Sequence, residues 1–237
     1  MIADGRCTKL PSMYIGHVAT ALAAKRLDPR PSLGTYLLAA TWPDVLFSVL
    51  LLGGWEQVRI APGHTAMMAM AFPHYPYSHS LVGVLLAGAG MAGLYWVFRR
   101  NARAAVILGC LVLGHFVLDV ITHVPDMPVG LAGPVVGLGL WKSIPATFVV
   151  EGLLFVAGVA IYRRATRAKD GIGRWAFAAF VLVLAITYVA GPLGPPPPSA
   201  VAVTVVNNVT LWLLVVWAIW LDRHRRPRPP APICVDD

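Results

Sequence analysis

Five stretches of this sequence, residues 80–98, 104–124, 144–162, 175–193 and 200–221, are predominantly apolar over roughly 19 to 22 residues, the length that crosses about 30 Å of hydrocarbon at 1.5 Å per helical residue. A sixth, 33–53, is interrupted by Pro43 and Asp44. So many segments of that length leave little chain for a soluble core. The composition agrees, at 57% hydrophobic and only 13% charged residues with a mean hydropathy of +0.68. The expected fold is all-α: a polytopic transmembrane bundle of about six spans, read as a single integral membrane domain over 1–237.

The net charge of +8 would suggest nucleic acid if the basic residues shared one soluble face. They lie between the spans instead. Arg6, Lys9, Lys25, Arg26 and Arg30 precede the first span; Arg99, Arg100 and Arg103 join the second to the third; Arg163, Arg164, Arg167, Lys169 and Arg174 join the fourth to the fifth. Arg223, Arg225, Arg226 and Arg228 follow the last, so 17 of the 19 basic residues fall on alternate connections and only Arg59 and Lys142 on the others. This is the positive-inside pattern, which puts the basic connections and the tail on the cytoplasmic side of an inner or plasma membrane. The charge then serves topology and attraction to anionic lipid, and no nucleic-acid partner is expected. Cys7, Cys110 and Cys234 are too scattered for a disulfide framework.

Within the single domain, 11–162 is expected to hold the site, 175–221 to add two helices and 222–237 to form a basic cytoplasmic tail. The segment 11–27 is apolar yet short for a span. Ala21-Leu22-Ala23 looks like a signal-peptidase site, but the apolar stretch before it is short and Lys25 and Arg26 follow at once, so a helix dipping into the bundle is the expectation. The long outer connections 54–78 and 125–143 are rich in Pro, Gly, His and aromatic residues and would roof a site. The prolines at 195–198 would stiffen a short outer turn.

Asp44, Asp119 and Glu151 fall within spans, where each charge costs about 2.5 to 3.5 kcal/mol on insertion scales. No buried Lys or Arg is expected to pair with them. Histidines lie in the spans instead, which points to metal coordination or to a proton relay. In the run His115 to His123, ligand-type residues recur at i, i+4 and i+8 (His115, Asp119, His123), and at 100° per residue they share one helix face. Counting 1.5 Å per residue from the basic boundaries, His17, Asp44, His115 and Glu151 all lie roughly 12 to 18 Å above the cytoplasmic surface, with Asp119, His123 and His79 continuing outward. One cavity open to the outside could hold them.

Each residue also has a plainer role available. His17 could bond a neighbouring carbonyl, Asp44 could cap the break after Pro43, and His79 between two serines could be an interfacial cap. Glu151, flanked by Val149-Val150 and Gly152-Leu153-Leu154-Phe155, is the hardest to place without a partner from another helix. His64, His74 and His224 lie in loops or the tail and take no role. Trp55, Trp96 and Trp175 read as interface belt.

In this order, Gly16-His17, Pro43-Asp44, Tyr77-Ser78-His79-Ser80-Leu81, Gly114-His115 through Thr122-His123 with Pro125-Asp126, Gly137-Leu138-Gly139-Leu140-Trp141 and Glu151 resemble the membrane-bound metal-dependent hydrolases related to the YdjM inner-membrane protein. That group is in turn similar in ligand order to zinc-dependent phospholipases C, which are all-helical. The resemblance implies metal ligands at His17, Asp44, His79, His115, Asp119, His123 and Glu151. The phospholipase pattern has a His four residues before its Glu, where this chain has Thr147, so two zinc ions are expected rather than three.

The expected function is hydrolysis of a phosphoester, with membrane lipid as the substrate class, by metal-activated water. Asp44 and Asp119 are the catalytic candidates, Asp44 as base or bridging ligand, and Lys142 would steer an anionic head group. A metal-ion or proton-coupled transporter would use the same residue types but would continue them to the cytoplasmic side, and a non-catalytic scaffold would use metal for stability alone.

Overall fold

The computed structural model describes residues 14–228, so Arg6, Cys7, Lys9 and Cys234 lie outside the described residues. Nine α-helices carry the described fold: α1 (Tyr14–Leu27), α2 (Leu33–Ala40), α3 (Trp42–Leu52), α4 (Pro76–His79), α5 (Leu81–Arg99), α6 (Ala102–Thr122), α7 (Ile144–Ala165), α8 (Gly171–Ala190) and α9 (Ala200–Arg223). Helices α5 to α9 are each long and apolar enough to cross a membrane, and α2 with α3 makes a sixth candidate span bent by 55°. The chain is thus an all-α helical membrane bundle. Its outer surface is what lipid requires: Leu86, Phe98, Leu153, Leu182 and Leu213 are largely exposed.

The bend has a covalent cause. Pro43 has no N–H to continue the ladder, and its ring displaces the preceding turn, so α2 ends at Ala40, Thr41 caps it, and α3 restarts with Pro43 in its first turn. Across the break the Val45 amide donates to the Thr41 carbonyl, and the Ala40 carbonyl, whose helical partner would be the Asp44 amide, is instead within reach of α6.

Helix α1, only 14 residues long, is buried along most of its length between α7, α2 and α6. It gets so close to α7 because Gly158 has no side chain: a Cβ there would lie 2.6 Å from the Ala19 carbonyl oxygen. Likewise α5 and α6 cross at Gly88 and Gly109, backbone against backbone.

The helix ends sort into two sets. At one end the basic connections meet: Lys25 on α1 reaches Asp222 on α9 (2.9 Å), Arg30 reaches Asn101 before α6 (2.8 Å), and strand β5 (Thr166–Ala168) pairs with β6 (Arg225–Pro227) to hold the chain after α9. Arg225 is buried there over the rings of Tyr162 and Phe177. At the other end the two long connections fold over the bundle as hairpins, β1 (Gln57–Ile60) with β2 (Met70–His74) and β3 (Met127–Pro128) with β4 (Val135–Val136). These small sheets, hidden from sequence in Gly- and Pro-rich loops, form the anticipated roof.

Two features tie the roof to the bundle. Buried Glu56 accepts hydrogen bonds from the Tyr77 and Ser78 amides at the start of α4 (2.8 Å each). Gly137 packs on the Val124 carbonyl at a φ of 159°, and the amides of Leu138 and Gly139 donate to the carbonyls of Val120 and His123 (2.7 and 2.6 Å). The Gly137-Leu138-Gly139 segment therefore satisfies the last carbonyls of α6, the helix that carries three of the candidate ligands.

Candidate metal centre

Five of the seven candidate ligands converge below the roof. Helix α6 supplies His115 and Asp119 one turn apart on one face, α1 brings His17, the first turn of α3 brings Asp44, and α4 ends at His79. The Asp119 carboxylate is the hub. Its Oδ2 lies 3.0 Å from His115 Nε2 and 3.7 Å from His79 Nε2, and its Oδ1 lies 3.2 Å from His17 Nε2. Asp44 Oδ1 is 3.7 Å from His79 Nε2 and 3.9 Å from His115 Nε2. The rings of His17 and His115 stack at 3.8 Å.

Two overlapping donor groups result, His17–Asp44–His115 and His79–His115–Asp119, each with its donor atoms within 4.8 Å of one another. Donors about 2.0 to 2.2 Å from a tetrahedral zinc are separated by about 3.3 to 3.6 Å, so these spacings suit a bound cation. Proton placement also favours one. The carbonyl of Ala40 can only accept, so His115 Nδ1 at 2.9 Å must carry a hydrogen. In the neutral ring Nε2 is then a bare lone pair, yet it faces Asp119 Oδ2 and, at 3.4 Å, His79 Nε2. A single proton would relieve one of these contacts; a cation relieves several at once. The buried His17 Nδ1, with no hydrogen-bond partner, leaves its ring joined to the protein's polar groups only through the Nε2 that faces the cluster.

The remaining two candidates lie apart from those groups. His123, the residue that ends α6, turns its ring to Trp141 (4.4 Å) and its Nδ1 to Asp126 Oδ1 (3.0 Å), and it lines the same cavity as the cluster. Tyr75 donates to Asp126 as well (3.2 Å), and burial, followed by the charges of Asp126 and Asp119, pushes its phenol far above the usual range, keeping that proton in place. Glu151 is sealed from solvent beside Trp141 and Tyr188, and no hydrogen bond of ordinary geometry closes on either carboxylate oxygen. Thr147, one turn before Glu151, gives its hydroxyl to the carbonyls of Leu140 and Ser143 and is not directed at the cluster as a ligand. Lys142 lies in the 3-10 turn Leu140–Lys142 of the roof and is exposed.

His17, Asp44, His79 and Asp119 line a cavity of about 60 Å³, and Asp44, its side chain 27% exposed, is the most accessible of them. Phe47, Met68, Met70 and Phe72 make the cavity's apolar wall, while Val203, Thr204 and Asn207 close it along α9. Helix α9, one of the two helices expected to be added after the site region, thus supplies a wall of the site. Asp126, Tyr75 and Glu56 were not singled out for a role, because each sits in an irregular connection where no periodicity marks it.

The same stretch of chain is marked by comparison with known proteins: residues 13–193 match the family model described as YdjM inner membrane protein. The chain belongs to the YdjM inner membrane protein family. That description names a membrane and no reaction, and the matched region holds all seven candidate ligands of this family member. Comparison with curated proteins and with solved structures gives no match.

Proposed function

We propose that this protein is a membrane-embedded metal-dependent hydrolase that cleaves a phosphoester in a membrane lipid. The carrying observation is the group of acceptors around His115 Nε2, whose ring hydrogen is committed to Ala40 and whose neighbours are a carboxylate oxygen and a second imidazole nitrogen. Two zinc ions are the proposed occupants, and His17, Asp44, His79, His115 and Asp119 would hold them, with His115 able to give its one free nitrogen to a single ion. When bound, such ions lower the pKa of water towards neutrality and offset charge on phosphate oxygens.

The chain's own residues would divide the work around them. Asp119 orients three imidazoles through its two oxygens. Asp44, the most exposed of the cluster's side chains, would accept a proton from water or serve as a metal ligand. Phe47, Met70 and Phe72 would exclude bulk water and receive the apolar part of a lipid, and Lys142 would steer its anionic head. The order of ligands, similar to that of zinc-dependent phospholipases C, fits the same chemistry.

Orientation follows from charge. With the basic end in the cytoplasm, the roofed end and its cavity face outwards and the C-terminal tail lies inside. Between the two ends the core is apolar, with Leu22, Leu37, Leu108 and Val112 buried, which favours a blind site over a transport path.

The test is the purified full chain, assayed for bound zinc and for release of a phosphorylated head group from phospholipid in mixed micelles. Wild type should bind zinc and hydrolyse lipid, and H115A and D119A should each lose at least 1000-fold in turnover, of the order seen when central catalytic groups are removed. A wild type that takes up no zinc, or variants that hydrolyse normally, would overturn the proposal.

A further inference from the structure

His79 is the one member of the cluster whose ring is held by side chains outside it. Its Nδ1 lies 2.7 Å from the hydroxyl oxygen of Ser78, and that oxygen lies 2.6 Å from Glu56 Oε2. All three residues are buried, at 5%, 0% and 1% exposure. The other Glu56 oxygen is already occupied by the amides of Tyr77 and Ser78.

We infer that Glu56 and Ser78 are positioning residues that fix which nitrogen of His79 faces the metal centre. The inference rests on the metal reading of the cluster and follows from counting protons. A carboxylate accepting from two amides has no hydrogen to give, so the short contact to Ser78 is a hydrogen bond donated by the hydroxyl. Ser78 has then spent its only hydrogen and can only accept from its other neighbour. His79 Nδ1 must therefore donate, and in the neutral ring Nε2 is left as a bare lone pair. Nε2 is the atom that points at Asp44 and Asp119. Glu56 thus acts on the cluster through two hydrogen bonds without touching it, the arrangement by which outer carboxylates set the tautomer of metal-binding histidines.

The direction of this chain can be reversed by one nearly isosteric change. In Glu56→Gln the amide oxygen still accepts from Tyr77 and Ser78, and the new NH₂ takes the place of Oε2. It donates to the Ser78 hydroxyl, which must then turn its own hydrogen towards His79 Nδ1. The ring is left with its hydrogen on Nε2, pointing into the centre. Ser78→Ala removes the link and leaves neither tautomer favoured by it.

The experiment uses the full chain in lipid nanodiscs with ¹⁵N-labelled histidine, metal-stripped, and reads the ring-nitrogen shifts of His79, identified by comparison with His79→Gln. Wild type should show the Nδ1–H form, E56Q the Nε2–H form and S78A a mixture. Zinc affinity should fall about 10- to 100-fold in E56Q and S78A, the usual effect of losing such an outer partner. Glu56→Asp, which keeps the acceptor, should retain the Nδ1–H form. Thermal melting of the stripped proteins identifies any variant that fails to fold, in which case the wild-type tautomer alone decides. A wild-type His79 carrying its hydrogen on Nε2, or an E56Q protein with unchanged tautomer and zinc affinity, overturns the relay alone. A wild type in the Nδ1–H form that takes up no zinc overturns the metal reading and, with it, the ligand role of His79.

Discussion

At the basic end of the bundle, Asp28 accepts hydrogen bonds from the Arg30 amide and guanidinium (2.7 to 3.2 Å) and from the Asn101 amide (3.0 Å). Beside it, buried Lys25 spends all three of its hydrogens, on the carbonyls of Pro29 and Pro31 and on Asp222. At the roofed end Asp119 is as deeply buried, but its neighbours are imidazole nitrogens, and no Lys or Arg among the described residues pairs with it or with Asp44. The first cluster is balanced, donors against acceptors, and closes on itself. The second has a surplus of acceptors. Both satisfy the rule that buried charge needs partners; only the second leaves room for a partner from outside the chain.

The sharpest way to break that contrast is to disturb each end and read the other. Stripping zinc with a chelator should destabilise the wild type by about 4 kcal/mol relative to protein with free zinc at roughly 1000 times its dissociation constant. Lys25→Met, which strands Asp222 in a partly buried position, should cost about 3 kcal/mol, towards the low end for a broken buried pair because Asp222 keeps some solvent. Since the clusters share no partner, the two losses should add within about 0.5 kcal/mol and K25M should bind zinc normally. Thermal melting of wild type and K25M with and without zinc measures this. A strong departure from additivity would mean that the ends are one network.

Acid separates the clusters next. Protons compete with zinc for imidazole, so the stabilisation by zinc should shrink as pH falls. Asp28 behaves otherwise. The hydrogen bond from the Arg30 guanidinium holds its carboxyl well below the usual range, against the opposing effect of burial. A depressed folded-state pKa contributes stability that is complete above the unfolded value of about 3.9 and is lost only as pH drops towards the folded value. Asp28→Asn should therefore cost the same, about 1 kcal/mol after allowance for the exposed Arg30, at pH 8 and at pH 5, with the penalty fading below pH 4. A penalty that already fades between pH 7 and 5 would place the titration elsewhere.

Much of this was legible in the sequence because it follows from lengths and charges. The spans came from apolar run length, the bend from Pro43, and the single face of His115 and Asp119 from helical spacing. Counting residues to the nearest basic boundary put His17, Asp44, His115 and Glu151 at one depth; the donor atoms of the first three do meet, while Glu151 lies outside their group. What stayed hidden depends on pairings distant in sequence. Lys25 entered the charge count like any loop residue, and nothing nearby announces Asp222, 197 positions away, as its partner. Glu56 follows an exposed Trp55 in a loop without periodicity, and only the fold of the roof brings it to Ser78. The contact of the Ala40 carbonyl with His115 likewise needs the bend and α6 in place together.

Helix α9 carries the comparison within one element, since Asp222 at one end pairs with Lys25 while Asn207, four turns away, faces the cavity. Asn207 holds the fold weakly: its amide reaches the Ser48 hydroxyl at 3.4 Å, the long limit of a hydrogen bond. Asn207→Ala should accordingly shift stability by less than about 0.5 kcal/mol. If the cavity between α3 and α9 admits lipid, the same change alters the wall along which the substrate lies. The Michaelis constant for phospholipid should then rise about 3- to 10-fold, the loss of one modest polar contact, with zinc content and turnover number unchanged. A fall in turnover number with no change in the Michaelis constant would instead connect Asn207, through Ser48, to the adjacent turn of α3 that holds Asp44, and would make α9 part of the catalytic frame rather than the wall of a binding groove.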